Sequence, residues 1–592
     1  MTLRTSRRLF GIVWHENKRA SIESVISVSI PGLVPFINAY LYAQIINFII
    51  RDVAGHHQPY GHLYLLIALR IILLFIQDLA ITAQRHSDIV INTLLPLVFS
   101  QQIMNQLAVI DVGMLEDSDF QNRFQSIKEN STWRPRSMYI DLIYSLQNII
   151  QLMVAAASLL FLNWIFAIVI VLTAIPTFIY QSRTAHSVWS IWDTNSTYRK
   201  RYSYIYYNLQ DVRSIKEFKV FRLGPYFAAQ ATALGKKFAN ENMKAINNEL
   251  VLGICANFVN VLGYGLVEIY IFLRTIGKHL SIGSLTYYTT VLLNFQAGTN
   301  GLFANVSQLF DNTQYIAELF DVLDIKPTIV SPSDAIKLPA NVAPTIEFSH
   351  VSYSYPQNDH KVLDDFSLVI KPGEKIAFVG ENGAGKTTLI KLLCRFYDVD
   401  EGQILISGID IKQLDLVSWY DHIGVLFQDF LKYSYSLRDN IWFGKVTSPA
   451  VPEQIIAAAQ QSGADAVKDT LKHGYKQMLG PTFEDGLDLS TGQWQKVALA
   501  RGFYRNAPIL VLDEPTAAID AKAEHEIFQK VEQLTADKTA IIISHRFSTV
   551  RNADTIYVIK DGKISESGSH QELMRINGTY AGLFNLQAEA YR

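Results

Sequence analysis

Nine residues from Gly380 to Thr388, GENGAGKTT, bring three glycines, a lysine and two threonines into one short turn. The apolar run IAFVG leads into the turn and TTLIKLLCRF leaves it. This strand, loop and helix order is the context in which backbone N–H groups gather around a phosphate. Gly380, Glu381, Asn382, Gly383, Ala384 and Gly385 form the cradle with Thr387 and Thr388, and the Lys386 ammonium reaches the terminal phosphates. The Thr387 hydroxyl is the natural ligand for Mg2+. Further along, APILVLDEPT reads as a buried strand that delivers two carboxylates at its end. Asp513 then stands beside the metal ion and Glu514 beside the water that attacks the γ-phosphate. Such a reaction needs little covalent help, so positioning and charge neutralisation supply most of the rate. A second glycine and hydroxyl cluster, GLDLSTGQWQ from Gly486 to Gln495, opens another helix and suits the same anion.

These groups must be placed by a soluble α/β unit in the second half of the chain. The first half is different. Six segments, near Ser21–Ile50, Leu63–Ala83, Tyr139–Leu162, Ile165–Gln181, Leu250–Ile276 and Ile282–Phe310, approach the roughly 20 apolar residues needed to cross a bilayer. Pro31, Pro35 and Pro176 lie inside them, which membrane helices tolerate. The N-terminus carries Arg4, Arg7, Arg8, Lys18 and Arg19, so it is expected on the cytoplasmic side of a cell membrane, as a basic amphipathic lead-in. Two long connections, Gln84–Met138 and Ser182–Glu249, share that side and read as helical extensions. Each has a break suited to a short crossing helix, near Met114–Phe124 and near Arg222–Phe227. Arg70, Asp78 and Glu268 are ionisable residues within spans, and Arg70 and Glu268 are a candidate pair. Asn294 reads as polar glue between helices. Tyr264, Tyr287, Tyr288 and Phe295 either line a substrate pathway or pack the helices.

The net charge of −2 argues against a nucleic-acid partner. Cys255 and Cys394 fall in a membrane span and a soluble helix, so no disulfide framework is expected.

GENGAGKTT, LSTGQ, ILVLDE and ISHR together resemble the motif set of the ATP-binding-cassette superfamily, and six spans ahead of one cassette resemble its exporter-type half-transporters. The resemblance covers nearly the whole chain. It implies an α-helical polytopic membrane domain over 1–325 with cytoplasmic extensions, a linker over 326–344, and an α/β P-loop ATPase domain over 345–592. Tyr355 would stack on adenine. Gln428 would sense the magnesium ion and the attacking water, Asp520 would sit in the loop joining two sites, and His545 would hold the γ-phosphate. Ser490, Thr491, Gly492 and Gln493 form the signature loop, which in this family faces the ATP held by a second copy. ATP thus joins two cassettes, and its hydrolysis lets them part. Near Phe120 and Tyr226, crossing helices would pass that motion to the spans.

The implied activity is ATP-driven movement of an amphipathic drug, lipid or peptide, in the export direction. An importer on the same scaffold and an ATP-gated channel remain the alternatives. Glu514, Gln428 and His545 are all present, which favours a homodimer over pairing with a different half-transporter. Four features depart from the family pattern, one being AAID in place of the commoner SALD. Thr491 stands where glycine is usual, Phe483 stands where exporters commonly show glycine, and Trp494 replaces a polar or basic residue.

Overall fold

The computed structural model describes residues 2–56, 58–194, 196–356, 358, 360–515, 529, 538–544 and 546–590. The chain divides into two compact units. One comprises Met1–Val109 with Gln121–Ile325, and the other Ile110–Phe120 with Lys326–Arg592.

The first unit is helical. The helix α1 (Thr2–Glu16) leads into α2 (Lys18–Val53) and α3 (Tyr60–Val109), after which α4 (Val112–Glu116) and α5 (Ser118–Asn130) break the chain before α6 (Arg134–Leu162) and α7 (Trp164–Thr194). Then α8 (Ser196–Gln210) and α9 (Val212–Val220) precede α10 (Gly224–Ile276) and α11 (Ile282–Leu323). The amphipathic lead-in is α1, with Leu9 and Val13 fully buried and Arg8 paired to Asp324 at 2.5 Å.

Among the described residues, α2, α3, α6, α7 as far as Arg183, and α10 are long and apolar enough to cross a membrane. Pro31, Pro35 and Pro176 sit inside α2 and α7 without ending them. Large apolar side chains such as Ile71, Phe75 and Leu79 on α3 and Phe258, Leu266 and Leu273 on α10 are exposed, as expected where hydrocarbon is the solvent. The sixth segment is helical too, but α11 falls below the hydropathy of the others because hydroxyl, amide and glycine residues punctuate it. Several of its polar groups are satisfied within the unit, although the Ser307 hydroxyl and one oxygen of Gln314 are buried without a hydrogen-bond partner. Asn294 accepts a hydrogen bond from Gln151 of α6 at 3.0 Å, and the Thr289 and Thr290 hydroxyls donate to carbonyls one turn back.

Close helix approaches are made by glycine. A Cβ on Gly263 of α10 would lie 2.3 Å from the Thr173 hydroxyl of α7, so only glycine fits there. Tyr264 and Phe295 are buried with Val267 and Val291, and the Tyr287 hydroxyl donates to Ser158 at 3.0 Å. Packing accounts for these aromatics. Arg70 bonds Asn38 at 3.0 Å and lies over the Tyr42 ring, so its partners are an amide and an aromatic face rather than Glu268.

The first expected break, Met114–Phe124, starts inside the short helix α4 and runs on into α5. The second differs: the separate short helix is α9, and Arg222–Phe227 holds a turn and the start of α10. Arg222 adopts a left-handed φ of 53°, Leu223 N–H closes onto the Phe218 carbonyl at 2.8 Å, and Pro225 then suits the first turn of α10.

Among its described residues the second unit contains two sheets. The smaller is antiparallel, with strand order β2-β1-β4-β5, from β1 (Ile346–Tyr353), β2 (Leu363–Ile370), β4 (Glu401–Ile406) and β5 (Ile409–Asp410). The larger has order β10-β9-β3-β8-β7-β6, with β3 (Lys375–Gly380), β6 (Ile423–Leu426), β7 (Ile509–Asp513), β8 (Thr539–Ile543), β9 (Thr555–Lys560) and β10 (Lys563–Gly568). It is parallel except for the β9–β10 hairpin. All five residues of β7 are buried, and β8 beside it is buried throughout, which is why both read as unbroken apolar runs. The helix α12 (Lys386–Leu393) follows β3, α13 (Leu416–Asp421) precedes β6, and α17 (Thr491–Arg505) packs with α14 (Leu437–Trp442), α15 (Pro452–Ser462) and α16 (Asp465–Lys468) around a separate apolar cluster.

Candidate functional site

The carboxyl end of β3 and the first turn of α12 hold the glycine loop. Gly383 and Gly385 have φ of 84° and 102°, in the region L side chains rarely adopt, and a Cβ on Gly385 would meet Leu363 at 2.9 Å. The Lys386 side chain lies buried along the loop and donates to the carbonyls of Gly380 and Glu381, both at 2.8 Å. Burial lowers the pKa of this ammonium, while Glu514 and Asp513 pull the other way. An open cleft of about 190 Å³ borders the loop, lined also by Val362, Lys560 and Asp561.

The end of β7 brings the two acids to the same place. Asp513 is 2% exposed, and its pKa is raised to about 6 by burial and by the adjacent Glu514, with Lys386 and a hydrogen bond from Thr387 opposing. Its Oδ2 atom is buried without a hydrogen-bond partner. A buried acceptor left over beside a threonine hydroxyl is the donor set a hard divalent cation takes, so the residues fit magnesium. Glu514 follows with φ of 49°, a left-handed conformation in a residue with a side chain. Its N–H donates to the Ile543 carbonyl at 2.9 Å and its carbonyl accepts from Gln495 at 3.1 Å. The Gln428 amide donates to the Glu514 carboxylate at 2.8 Å. Lys386, Thr387, Gln428, Asp513 and Glu514 therefore converge.

Tyr355 contacts α12. Its hydroxyl shares a hydrogen bond with Thr388 at 3.1 Å, and its ring meets those of Tyr353 and Tyr397 edge-on, with centroids at 5.3 and 5.5 Å. Ser490 caps α17 in a capping box: Gln493 N–H donates to the Ser490 hydroxyl at 3.2 Å, and Ser490 N–H donates to the Gln493 side chain at 3.0 Å. Thr491 is the first residue of the helix and exposed, so its β-branch meets no steric penalty from a preceding turn. Trp494 has a structural role. It is 1% exposed, packs among Leu437, Leu489 and Val497, and donates to Asp488 at 3.0 Å. Phe483 is 56% exposed. Asp520 and His545 lie outside the described residues.

Sequence reading missed Gln495. Nothing distinguishes it along the helix, and only the fold shows that it links α17 to the backbone of Glu514.

Residues 363–517 match the family model described as ABC transporter. Over 591 residues the chain is 27% identical to the nisin transport ATP-binding protein NisT of Lactococcus lactis subsp. lactis, covering 98% of this chain and 96% of that one. It is 29% identical to the subtilin transport ATP-binding protein SpaT of Bacillus subtilis, covering 80% and 77%. It is 35% identical to the ATP-dependent lipid A-core flippase of Syntrophus aciditrophicus (strain SB), covering 60% and 58%. The chain carries an ABC transporter domain. Its fold is that of an ABC exporter: it superposes on a bacterial Atm1-family ABC exporter with ATP bound at a TM-score of 0.82, with 23% identity, covering 96% of this chain and 98% of that one. Among the described residues six long helices precede one cassette, the architecture of a half-transporter. It is a membrane protein that binds ATP and uses ATP hydrolysis to drive transport.

Proposed function

We propose that two copies of this ABC transporter form a homodimer that exports an amphipathic peptide or lipid across the cell membrane. The observation carrying this reading is the convergence of Lys386, Thr387, Gln428, Asp513 and Glu514 around the unpartnered oxygen of Asp513. In this reading residues 1–325 carry the substrate, 326–344 connect, and 345–592 hydrolyse ATP. The basic N-terminus and the cassette face the cytoplasm.

Gly380, Glu381, Asn382, Gly383, Ala384, Gly385 and Thr388 hold the phosphates through the loop and helix start. Lys386 exchanges its two carbonyl partners for phosphate oxygens. Thr387, Asp513 and Gln428 would hold Mg2+, which supplies charge neutralisation on the phosphates when bound. Glu514 orients the attacking water and takes up its proton, with Gln428 fixing the carboxylate. Tyr355 stacks on adenine, and His545 holds the γ-phosphate. Ser490, Thr491, Gly492 and Gln493 present the positive end of α17 to the ATP of the other copy, where Asp520 joins the two sites. ATP binds the closed pair better than the open one, and that difference reorders the membrane helices.

Peptide and lipid are proposed because NisT and SpaT carry names of peptide transport and the flippase a lipid name, while the membrane helices place no charged residue on α11 before Asp311. Vesicles with the cassettes facing outward test it. ATP should drive uptake of a fluorescent short-chain lipid or an amphipathic peptide. Efflux under the same conditions would indicate import, and passive nucleotide-gated flux a channel.

A further inference from the structure

The segment Ile110–Phe120 lies between membrane helices in sequence but packs within the nucleotide-binding unit, and its attachment is chemically specific. Asp111, ahead of α4, accepts hydrogen bonds from the Thr328 N–H and hydroxyl, both at 2.7 Å, and from the Ile329 N–H at 3.2 Å. At the other end of α4, Glu116 accepts from Lys391 at 2.9 and 3.2 Å and from the Tyr397 hydroxyl in a short hydrogen bond. Between them Gly113 lies flat against Tyr397, where a Cβ would come within 2.8 Å of the ring.

Both partners of Glu116 also touch Tyr355. The Tyr397 ring packs edge-on to it at 5.5 Å, and the Lys391 ammonium lies 5.3 Å from its centroid. Lys391 belongs to α12, the helix that starts at the phosphate loop, and Tyr355 bonds Thr388 on the same helix. One carboxylate therefore sets the position of a ring edge and of a cation, and these together set the tilt and the electron density of the ring face. Burial raises the pKa of Glu116, but its hydrogen bonds with Tyr397 and Lys391 outweigh that and hold it below the ordinary value, so the group is anionic at neutral pH.

We propose that Glu116 is a positioning residue for nucleotide-base recognition: through Tyr397 and Lys391 it orients Tyr355, so that seating of α4 and binding of the base reinforce each other. The inference rests on the base-stacking role given to Tyr355 above. Coupling of this kind is reciprocal, so a bound base tightens the hold on α4 to the same degree that a seated α4 tightens the hold on the base.

The test uses the full chain in lipid, with two ligands that differ in the base: ATP, and inorganic tripolyphosphate as a competitive inhibitor. In Glu116→Gln the KM for ATP should rise about five-fold, the low end of coupling between linked sites, with kcat and tripolyphosphate inhibition unchanged. Tyr397→Phe, which keeps the ring and loses the hydroxyl, should shift the KM in the same direction. Adding Glu116→Gln to Tyr355→Ala should raise the KM no further than Tyr355→Ala alone. An unchanged KM for ATP in both single variants, equal weakening of ATP and tripolyphosphate, or additive effects in the double variant would overturn the proposal. If Tyr355→Ala itself leaves the KM for ATP unchanged, the stacking role fails, and that result is separate from failure of the Glu116 link.

Discussion

Glu514 holds a left-handed φ of 49° between a strand and a turn, pinned by the Ile543 carbonyl on one side and Gln495 on the other. Such a conformation costs of order 1–3 kcal/mol and persists only where surrounding bonds enforce it. Here it directs the carboxylate to Gln428. Glu514→Gln keeps the size and the Gln428 contact but cannot take a proton, so steady ATPase activity should fall about 100- to 1000-fold while ATP stays bound. Normal turnover would remove Glu514 from its role. Asp513 gives a pH prediction. Its folded pKa of about 6 exceeds the ordinary 3.8, so the metal-free fold loses stability as pH rises from about 4 to 6, and the carboxylate is free for magnesium only above that window. The Mg2+ concentration for half-maximal ATPase should therefore climb roughly ten-fold per pH unit below 6 and stay flat above 7, measured at saturating ATP. The residue types of Lys386, Thr387, Asp513 and Glu514 were legible because their chemistry is local to a loop and a strand end. The roles of Gln495, Trp494 and Glu116 were not, since each depends on residues from 6 to 281 positions away.

At the scale of elements, α17 begins where the second anion site is read. Its cap is reciprocal, so Ser490→Ala should lower the stability of the nucleotide-binding unit by about 1 kcal/mol, seen in the denaturant midpoint, and should also abolish ATP-induced pairing. A stability loss with pairing intact would confine Ser490 to the cap. The length of the apolar runs located the membrane helices, because the solvent on their outer faces is uniform. The separate helix α9 lay a few residues from the expected break, since its end is set by the closure of Leu223 onto Phe218, a backbone event that side-chain pattern does not announce. The seating of α4 was also invisible in sequence. It is written in the partners of Asp111 and Glu116, which belong to the other half of the chain.

For the whole molecule, the helical unit has the exposed apolar faces of a protein solvated by lipid, and the α/β unit gathers its apolar residues into a buried core. Neither accounts for transport alone. Transport by the proposed homodimer requires that ATP gather two nucleotide-binding units and that the closed pair be the state in which hydrolysis proceeds. Spin labels on Glu453→Cys, in a Glu514→Gln background with Cys255 and Cys394 replaced, report the separation between copies in lipid. Magnesium-ATP should convert a long, broad distance distribution into a short, narrow one, and adding Lys386→Ala should prevent the change. An unchanged distribution with ATP demonstrably bound would contradict the account.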